Sequence, residues 1–223
     1  EEDTEGTANP CTEPQRRALL RILALLRNDR NNGYANSWLN VVPNRATGHR
    51  MPKPLYSASL KWTLGGVTWS DHPCPEPNAR NKKCNAPMDP WGDHAVCCPT
   101  GPSRIARHDY VNDTWLATLR SCGHHARTEV RTGIEDHKRS ADTLVYDWDK
   151  GTMAAHDWVV THTLRSQGVN ATHPDPNWAV TDAEINKLKR EGGECEKRGI
   201  EFVPLAMDTF GGFGATAARF IAG

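Results

Sequence analysis

The chain has 223 residues, enough for one large domain or two small ones with a buried core. Its 27 lysines and arginines equal its 27 aspartates and glutamates, which argues against a strongly basic nucleic-acid binder but permits a locally basic face. No apolar stretch approaches the roughly 20 residues of a membrane span. The acidic opening at Glu1, without a methionine, is unlike a signal peptide and predicts a piece of something longer.

The N-terminal third is predicted to be helical with polar connections. Thr12 to Gln15 has the pattern of a capping box, and apolar residues from Ala18 to Leu26 follow at helical spacing. Residues 28–60 are rich in Asn, Gly and Pro, so we expect mainly loops there, and Leu55 to Val67 favours a further helix. No residue of this segment points to a particular chemistry.

Four of the seven cysteines crowd together beside a histidine. Three sulfurs and an imidazole suit a tetrahedral zinc ion, and so apolar-poor a segment can be folded by metal binding itself. Buried free thiols or a disulfide are the alternatives, although seven cysteines cannot all pair within one chain. The predicted zinc ligands are Cys74, Cys84, His94 and one of Cys97 and Cys98, with His72 as an additional candidate.

The remainder of the chain alternates helical and strand patterns. An amphipathic helix is predicted first, then three short strands, a helix that starts at a second capping box, a strand and a final helix. In chain order these elements are Arg104 to Arg120, Ala126 to Arg131, Asp142 to Trp148, Asp157 to His162, Thr181 onward, Phe202 to Met207 and Ala217 to Ile221.

Two aspartates draw attention because each is predicted to open a strand. Asp142 and Asp157 begin two runs with period-2 alternation, joined by a turn at Asp149 to Gly151. If the strands pair, the two carboxylates meet at one edge, and phosphodiester hydrolysis needs such a pair to bind a divalent ion. The alternative is that both are ordinary turn residues.

The element order from Arg104 resembles the restriction-endonuclease-like PD-(D/E)XK fold. A closer resemblance is to the C-terminal region of non-LTR retrotransposon and related reverse-transcriptase polyproteins, in which a Cys/His zinc-knuckle element precedes the nuclease. The matching stretches are Asp89 to Cys98, Arg107 to Asp109, Ser140 to Asp142, Asp157 to Thr161, and Lys187 ahead of Gly199 to Leu205.

This resemblance implies an α+β (mixed α/β) architecture with a restriction-endonuclease-like αβββαβ core. The core is expected after an N-terminal helical or connector segment and a small zinc-binding element. The corresponding boundaries are residues 1–70 for the connector, 71–103 for the zinc-knuckle-like element and 104–223 for the nuclease domain.

The resemblance also implies roles for individual residues. Asp142 and Asp157 would bind catalytic Mg²⁺ or Mn²⁺, with Glu129 as a possible third carboxylate. Arg107 and His108 would contact the phosphate backbone or brace the active site, and packing is the alternative role for His108.

The sequence departs from the general nuclease pattern at the basic residue. That pattern has a lysine two residues after the second carboxylate, where this chain has Val159. The retrotransposon versions resemble this chain in carrying the lysine on the following helix, so Lys187 is the expected catalytic cation. A merely solvated surface lysine is the alternative. Ala141 replaces the proline of the usual Pro-Asp pair.

We therefore expect a Mg²⁺-dependent DNA endonuclease domain with a structural zinc ion. Its expected partners are DNA and, through an attached polymerase region, RNA, with no membrane, and the resemblance implies an intracellular, nuclear location. One alternative is a catalytically inactive nuclease-like module that binds nucleic acid. Another is a secreted, disulfide-stabilised protein, which the glycosylation-type tripeptides at Asn112 and Asn170 keep open.

Overall fold

A computed structural model describes residues 12–32, 51–66, 72–78, 80–128, 141–170 and 175–221. Within these residues the chain forms helices, four strands and one π-helical turn. In chain order they are α1 Glu13–Asn32, α2 Lys53–Thr63, α3 Asp93–Cys97, α4 Ser103–Ser121, β1 Ala126–Thr128, β2 Thr143–Val145, β3 Met153–Thr161, α5 Ser166–Val169, α6 Trp178–Lys187, the π-helical turn Leu188–Gly192, α7 Gly193–Glu196, β4 Ile200–Asp208 and α8 Ala215–Ile221. None of the helices in the described ranges is long and apolar enough to cross a membrane.

The strands form one mixed sheet in the order β1-β2-β3-β4. The pairings of β1 with β2 and of β2 with β3 are antiparallel, whereas β3 and β4 run parallel. A parallel pair needs a crossover connection, and α5, α6 and α7 supply it. The expected α+β class is therefore confirmed.

The core lies between the sheet and helices α4 and α8. Trp115 of α4 meets Trp158 of β3 edge to face, with ring centroids 5.8 Å apart. The indole Nε1 of Trp115 also donates to His156 Nδ1 at 2.9 Å. Burial lowers the pKa of His156 to about 3, so this imidazole is a neutral core residue.

Several predicted element boundaries are wrong. The strand predicted from Asp142 to Trp148 is shorter, because β2 spans only Thr143–Val145. Asp157 does not open its strand, because β3 begins at Met153 and places Asp157 in its middle. The helix predicted to begin at the capping box Thr181 to Glu184 begins earlier. It is α6, which starts at Trp178, so Thr181 lies inside it. The residues before Thr181 are helical because they pack into the protein: Ala179 and Val180 are buried, and the Trp178 indole donates to the Thr163 carbonyl at 3.0 Å.

The N-terminal helices pack against the end of the sheet. Leu20 and Ala24 of α1 are fully buried in a cluster with Leu164 and Phe210. Trp62 of α2 stacks on Phe210 with ring centroids 4.7 Å apart. At the start of α1 the Gln15 side chain accepts a hydrogen bond from the Thr12 backbone N–H at 2.8 Å, which is one half of the predicted capping box.

Candidate active site and metal centre

Three cysteines and one histidine form a compact cluster. The ligand atoms of Cys74, Cys84, His94 and Cys98 all lie within 4.8 Å of one another. The Sγ atoms of Cys74 and Cys98 are 3.8 Å apart, and Cys84 Sγ lies 3.6 Å from His94 Nε2. Of the two adjacent cysteines, Cys98 belongs to the cluster, while Cys97 and His72 do not.

A short hairpin and the helix α3 bring these ligands together. Cys74 N–H donates to the Ala86 carbonyl at 2.8 Å, and Cys84 N–H donates to the Glu76 carbonyl at 2.9 Å. The hairpin thus brings both thiols close to His94 of α3 and to Cys98. The Asp89 carboxylate accepts hydrogen bonds from backbone N–H groups at the start of α3, which stabilises the beginning of the helix that carries His94.

The chemistry of the cluster is compatible with a structural zinc ion. Zinc in such sites takes four sulfur or imidazole ligands in tetrahedral geometry. Backbone hydrogen bonding at Ala86, helped by Thr100, lowers the pKa of Cys84 to about 7, which favours the thiolate that a metal binds. Burial raises the pKa of Cys74 and brings that of Cys97 to about 11, the latter also through the nearby Asp93 charge.

A second group of charged residues lies at the junction of β2 and β3. Asp142 precedes β2, and its backbone N–H donates to the His156 carbonyl at 3.1 Å. The Trp158 N–H donates to Asp142 Oδ2 at 2.8 Å. This register carries the Asp142 carboxylate across to β3, close enough to the Asp157 carboxylate for each to influence the pKa of the other.

Each carboxylate also meets a basic residue from a different helix. Nε2 of His108, on α4, lies 3.0 Å from Asp142 Oδ2, and the Lys187 ammonium, at the end of α6, forms an ion pair with Asp157 Oδ2. The Asp142 and Asp157 side chains are 23% and 9% exposed, so this pairing takes place largely out of water.

The surroundings drive the two carboxylates toward different charge states. Burial raises the pKa of Asp157 to about 7, because the neighbouring Asp142 charge adds to burial and together they outweigh Lys187. Burial also acts on Asp142, but the hydrogen bond from His108 lowers its pKa overall. The same bond raises the pKa of His108 to about 9, so the imidazolium donates to Asp142.

A groove of about 810 Å³ opens beside this group, between α4, β3 and α6. Asp182 is the single carboxylate among the residues that line it. Six basic residues share the lining, and they are Arg104, His108, Arg165, Lys187, Lys189 and Arg190. A concave surface with such an excess of positive charge attracts polyanions.

The structure brings some of the predicted site residues together and places others elsewhere. It brings Asp142, Asp157, Lys187 and His108 together. Arg107 points elsewhere, because its guanidinium donates to the Val96 carbonyl of α3 at 2.6 Å. Glu129 lies outside the described residues.

Sequence reasoning found part of the groove. The basic run from Lys187 to Arg190 is visible in the sequence, and its position at the end of α6 is a signal for a charged surface. Arg104 and Arg165 carry no such signal, because they join the groove only through the packing of α4 against β3.

Comparison of the sequence with protein-family models finds no match, and a search of curated proteins finds none either. The assignment of a function therefore depends on the geometry of the two sites and on the resemblance that the motifs carry.

Proposed function

We propose that the chain is a metal-dependent endonuclease domain that hydrolyses phosphodiester bonds in DNA. The observation that carries the proposal is the pair of neighbouring carboxylates, Asp142 and Asp157, whose basic partners His108 and Lys187 line a basic groove. The αβββαβ order of α4, β1, β2, β3, α6 and β4 supports it, because this is the order expected from the resemblance to restriction-endonuclease-like nucleases.

The two carboxylates fit a hard divalent cation. Two neighbouring carboxylates, one of them buried enough to raise its pKa to about 7, are stabilised when a dication neutralises their charge. A Mg²⁺ or Mn²⁺ ion held by Asp142 and Asp157 would supply Lewis-acid stabilisation of the phosphate charge.

The chain's own groups would prepare the substrate around that centre. Arginines and lysines of the groove bind phosphates and hold the strand against β3. In hydrolysis a water oxygen bonds to phosphorus, the ester P–O bond breaks and the departing oxygen ends with a proton. The Lys187 ammonium stabilises the negative charge that develops on the phosphoryl oxygens, and His108 fixes the orientation of Asp142.

Plasmid nicking tests the proposal directly. Cleavage is expected with Mg²⁺ or Mn²⁺ and is expected to stop with EDTA. Asp142→Asn and Asp157→Asn should each lower the rate by a factor of about 100 or more, by analogy with the loss of one charge-stabilising group. Asp113→Asn on α4 is the matched control, because Asp113 is exposed. Robust cleavage by the Asp142→Ala, Asp157→Ala double variant contradicts the site assignment.

A nucleic-acid-binding module without catalysis is the second candidate. It is favoured by Val159, which lines the groove at the position where the general nuclease pattern has its lysine. The basic groove does not need the carboxylates in order to bind phosphates. Salt-dependent DNA affinity without metal-dependent cleavage selects this candidate over the nuclease.

We also propose that the Cys/His cluster holds a structural zinc ion. Elemental analysis should find one zinc per chain, and thiol titration after denaturation should find free cysteines. The disulfide-stabilised alternative gains no support, because all six cysteines in the described ranges are free. Asn112 is also a poor glycosylation site, since it is 8% exposed and its side chain accepts a hydrogen bond from Thr143 Oγ1 at 2.8 Å.

A further inference from the structure

The helix α3 lies between the Cys/His cluster and the carboxylate site. It contains the ligand His94, and the ligand Cys98 follows it directly. Asp93, at its start, contacts α1 and approaches the residue after β3, and the Val96 carbonyl, near its end, contacts α4. A metal ion that fixes His94 and Cys98 therefore also fixes the groups through which α3 contacts its neighbours.

The first link runs from α3 to β3 through a buried carboxylate. Asp93 is 6% exposed and accepts from Arg17 Nη1 and Arg21 Nη2, both at 2.8 Å. His162 Nε2 lies 3.4 Å from the same carboxylate. Since His162 directly follows β3, the strand that carries Asp157, this approach places the start of the metal-binding helix beside the end of that strand. Buried charges of this kind tolerate little displacement from their partners.

The second link runs from α3 to α4 through Arg107. Its Nη2 donates to the Val96 carbonyl at 2.6 Å, inside the turn that carries the metal ligands. The next residue on α4 is His108, which holds the Asp142 carboxylate. The Arg107 guanidinium thus connects the turn that carries the metal ligands to His108, the residue that orients the Asp142 carboxylate.

The segment that carries the metal ligands has only a small apolar core of its own. The apolar cluster there contains Cys74, Met88 and Cys98, with Cys84 and Ala95 packed against it. Three of its members are metal ligands, so the same side chains supply both the ligands and the apolar contacts. Segments of this kind gain their folding free energy from the metal.

We propose that α3 couples the Cys/His cluster to the carboxylate site, with Arg107 and Asp93 as positioning residues. A metal ion bound at Cys74, Cys84, His94 and Cys98 holds α3, and α3 holds the elements that carry His108 and Asp157. The coupling itself is a property of the fold, and its consequence for cleavage rests on the proposed nuclease function.

Hydrogen exchange measured on the full chain tests the coupling without any need for cleavage. Removal of zinc with a chelator should speed amide exchange in residues 72–98 and also in residues 103–112 and 153–162, by about tenfold or more, because those segments lose a fixed neighbour. A change confined to residues 72–98 overturns the proposal.

Variants separate the two links from a general loss of stability. Zinc-loaded Arg107→Met should exchange faster than wild type in residues 103–112, and Arg107→Lys, which keeps a donor, should recover part of the protection. Arg104→Met is the matched control, because Arg104 is an exposed residue of the same helix.

Zinc-loaded Asp93→Asn should have the larger effect in residues 153–162. Wild-type exchange in both zinc-loaded variants overturns the proposal. Weaker zinc binding by Arg107→Met but not by Arg104→Met supports it, since coupling between two sites is reciprocal.

Kinetics then distinguish this inference from the proposed function. If the wild type cleaves DNA, Arg107→Met should lower kcat with little change in KM, whereas Arg104→Met, which removes a cation from the groove, should mainly raise KM. If the wild type does not cleave DNA, the nuclease proposal fails while the exchange experiment still decides the coupling.

Discussion

The Cys/His cluster and the carboxylate site are two charged centres built in opposite ways. The cluster draws its ligands from one local segment, Cys74 to Cys98, and combines three sulfurs with one imidazole. The carboxylate site draws one residue from each of several elements: His108 from α4, Asp142 from the approach to β2, Asp157 from β3 and Lys187 from α6. The first depends on sequence proximity, the second on the assembled sheet.

This difference fits the structural role proposed for the cluster and the catalytic role proposed for the carboxylate site. Four protein ligands complete a tetrahedral site and leave no position for a substrate. Two carboxylates satisfy only part of the six or more oxygen ligands that a hard cation takes, so water and phosphate oxygens can complete the set. The basic groove beside Asp142 and Asp157 is where such a phosphate would arrive.

The largest expected effect comes from opening the cluster. Cys98→Ser replaces a soft thiolate with a hydroxyl, so we expect loss of bound zinc and of the fold of residues 72–98. Structural zinc contributes on the order of 10 kcal/mol in small zinc peptides. Zinc analysis and limited proteolysis of residues 72–98 measure the loss, with Cys122→Ser as the control because Cys122 is exposed. A Cys98→Ser protein that retains one zinc and resists the protease would contradict the assignment of the fourth ligand.

The second-largest expected effect tests the role of Lys187 in the carboxylate site. Lys187→Met removes the cation that pairs with Asp157, and the single-turnover cleavage rate should fall by a factor of about 100 to 1000. The DNA dissociation constant should change little by comparison. Lys189→Met, on the same basic run but exposed, should affect binding more than rate. If the two variants change the rate equally, Lys187 acts only as one more groove cation.

How well the sequence predicts each centre depends on how that centre is built. The Cys/His ligands are rare residue types and lie close along the chain, so spacing and ligand chemistry suffice to predict three of them. The choice between Cys97 and Cys98 is beyond such reasoning, because it depends on which thiol the turn of α3 directs toward Cys74.

The sheet was harder to predict for a different reason. Alternation of apolar and polar residues marks a strand with one solvated face, whereas Ala154 to Trp158 are all buried. The start of β3 therefore carries no period-2 signal, and the predicted strand begins too late, at Asp157. The contact of Lys187 with Asp157 was expected only through the resemblance, since nothing local to either residue indicates their proximity.

A smaller effect is expected from the groove. Arg190→Ala should weaken DNA binding about threefold to tenfold and reduce the slope of log affinity against log salt by about 0.9, the amount expected for one lost phosphate contact. Fluorescence anisotropy across a salt series measures both quantities. Arg80→Ala, an exposed arginine on the hairpin of the metal centre, is the control. An unchanged salt slope in Arg190→Ala, or an equal change in Arg80→Ala, would remove the groove as the binding surface.

The smallest expected effect is at Cys97, the neighbour of the proposed ligand Cys98. Cys97 lies outside the ligand cluster and is only partly buried, so Cys97→Ser should keep one zinc per chain and change the unfolding free energy by no more than about 1 kcal/mol. Thermal unfolding and elemental analysis of Cys97→Ser beside Cys98→Ser provide the measurement. Because the two residues are adjacent and chemically identical, loss of zinc from one variant and not from the other reflects which sulfur faces the cluster. The reverse pattern, with zinc lost from Cys97→Ser and kept by Cys98→Ser, would mean that α3 presents its other thiol to the metal.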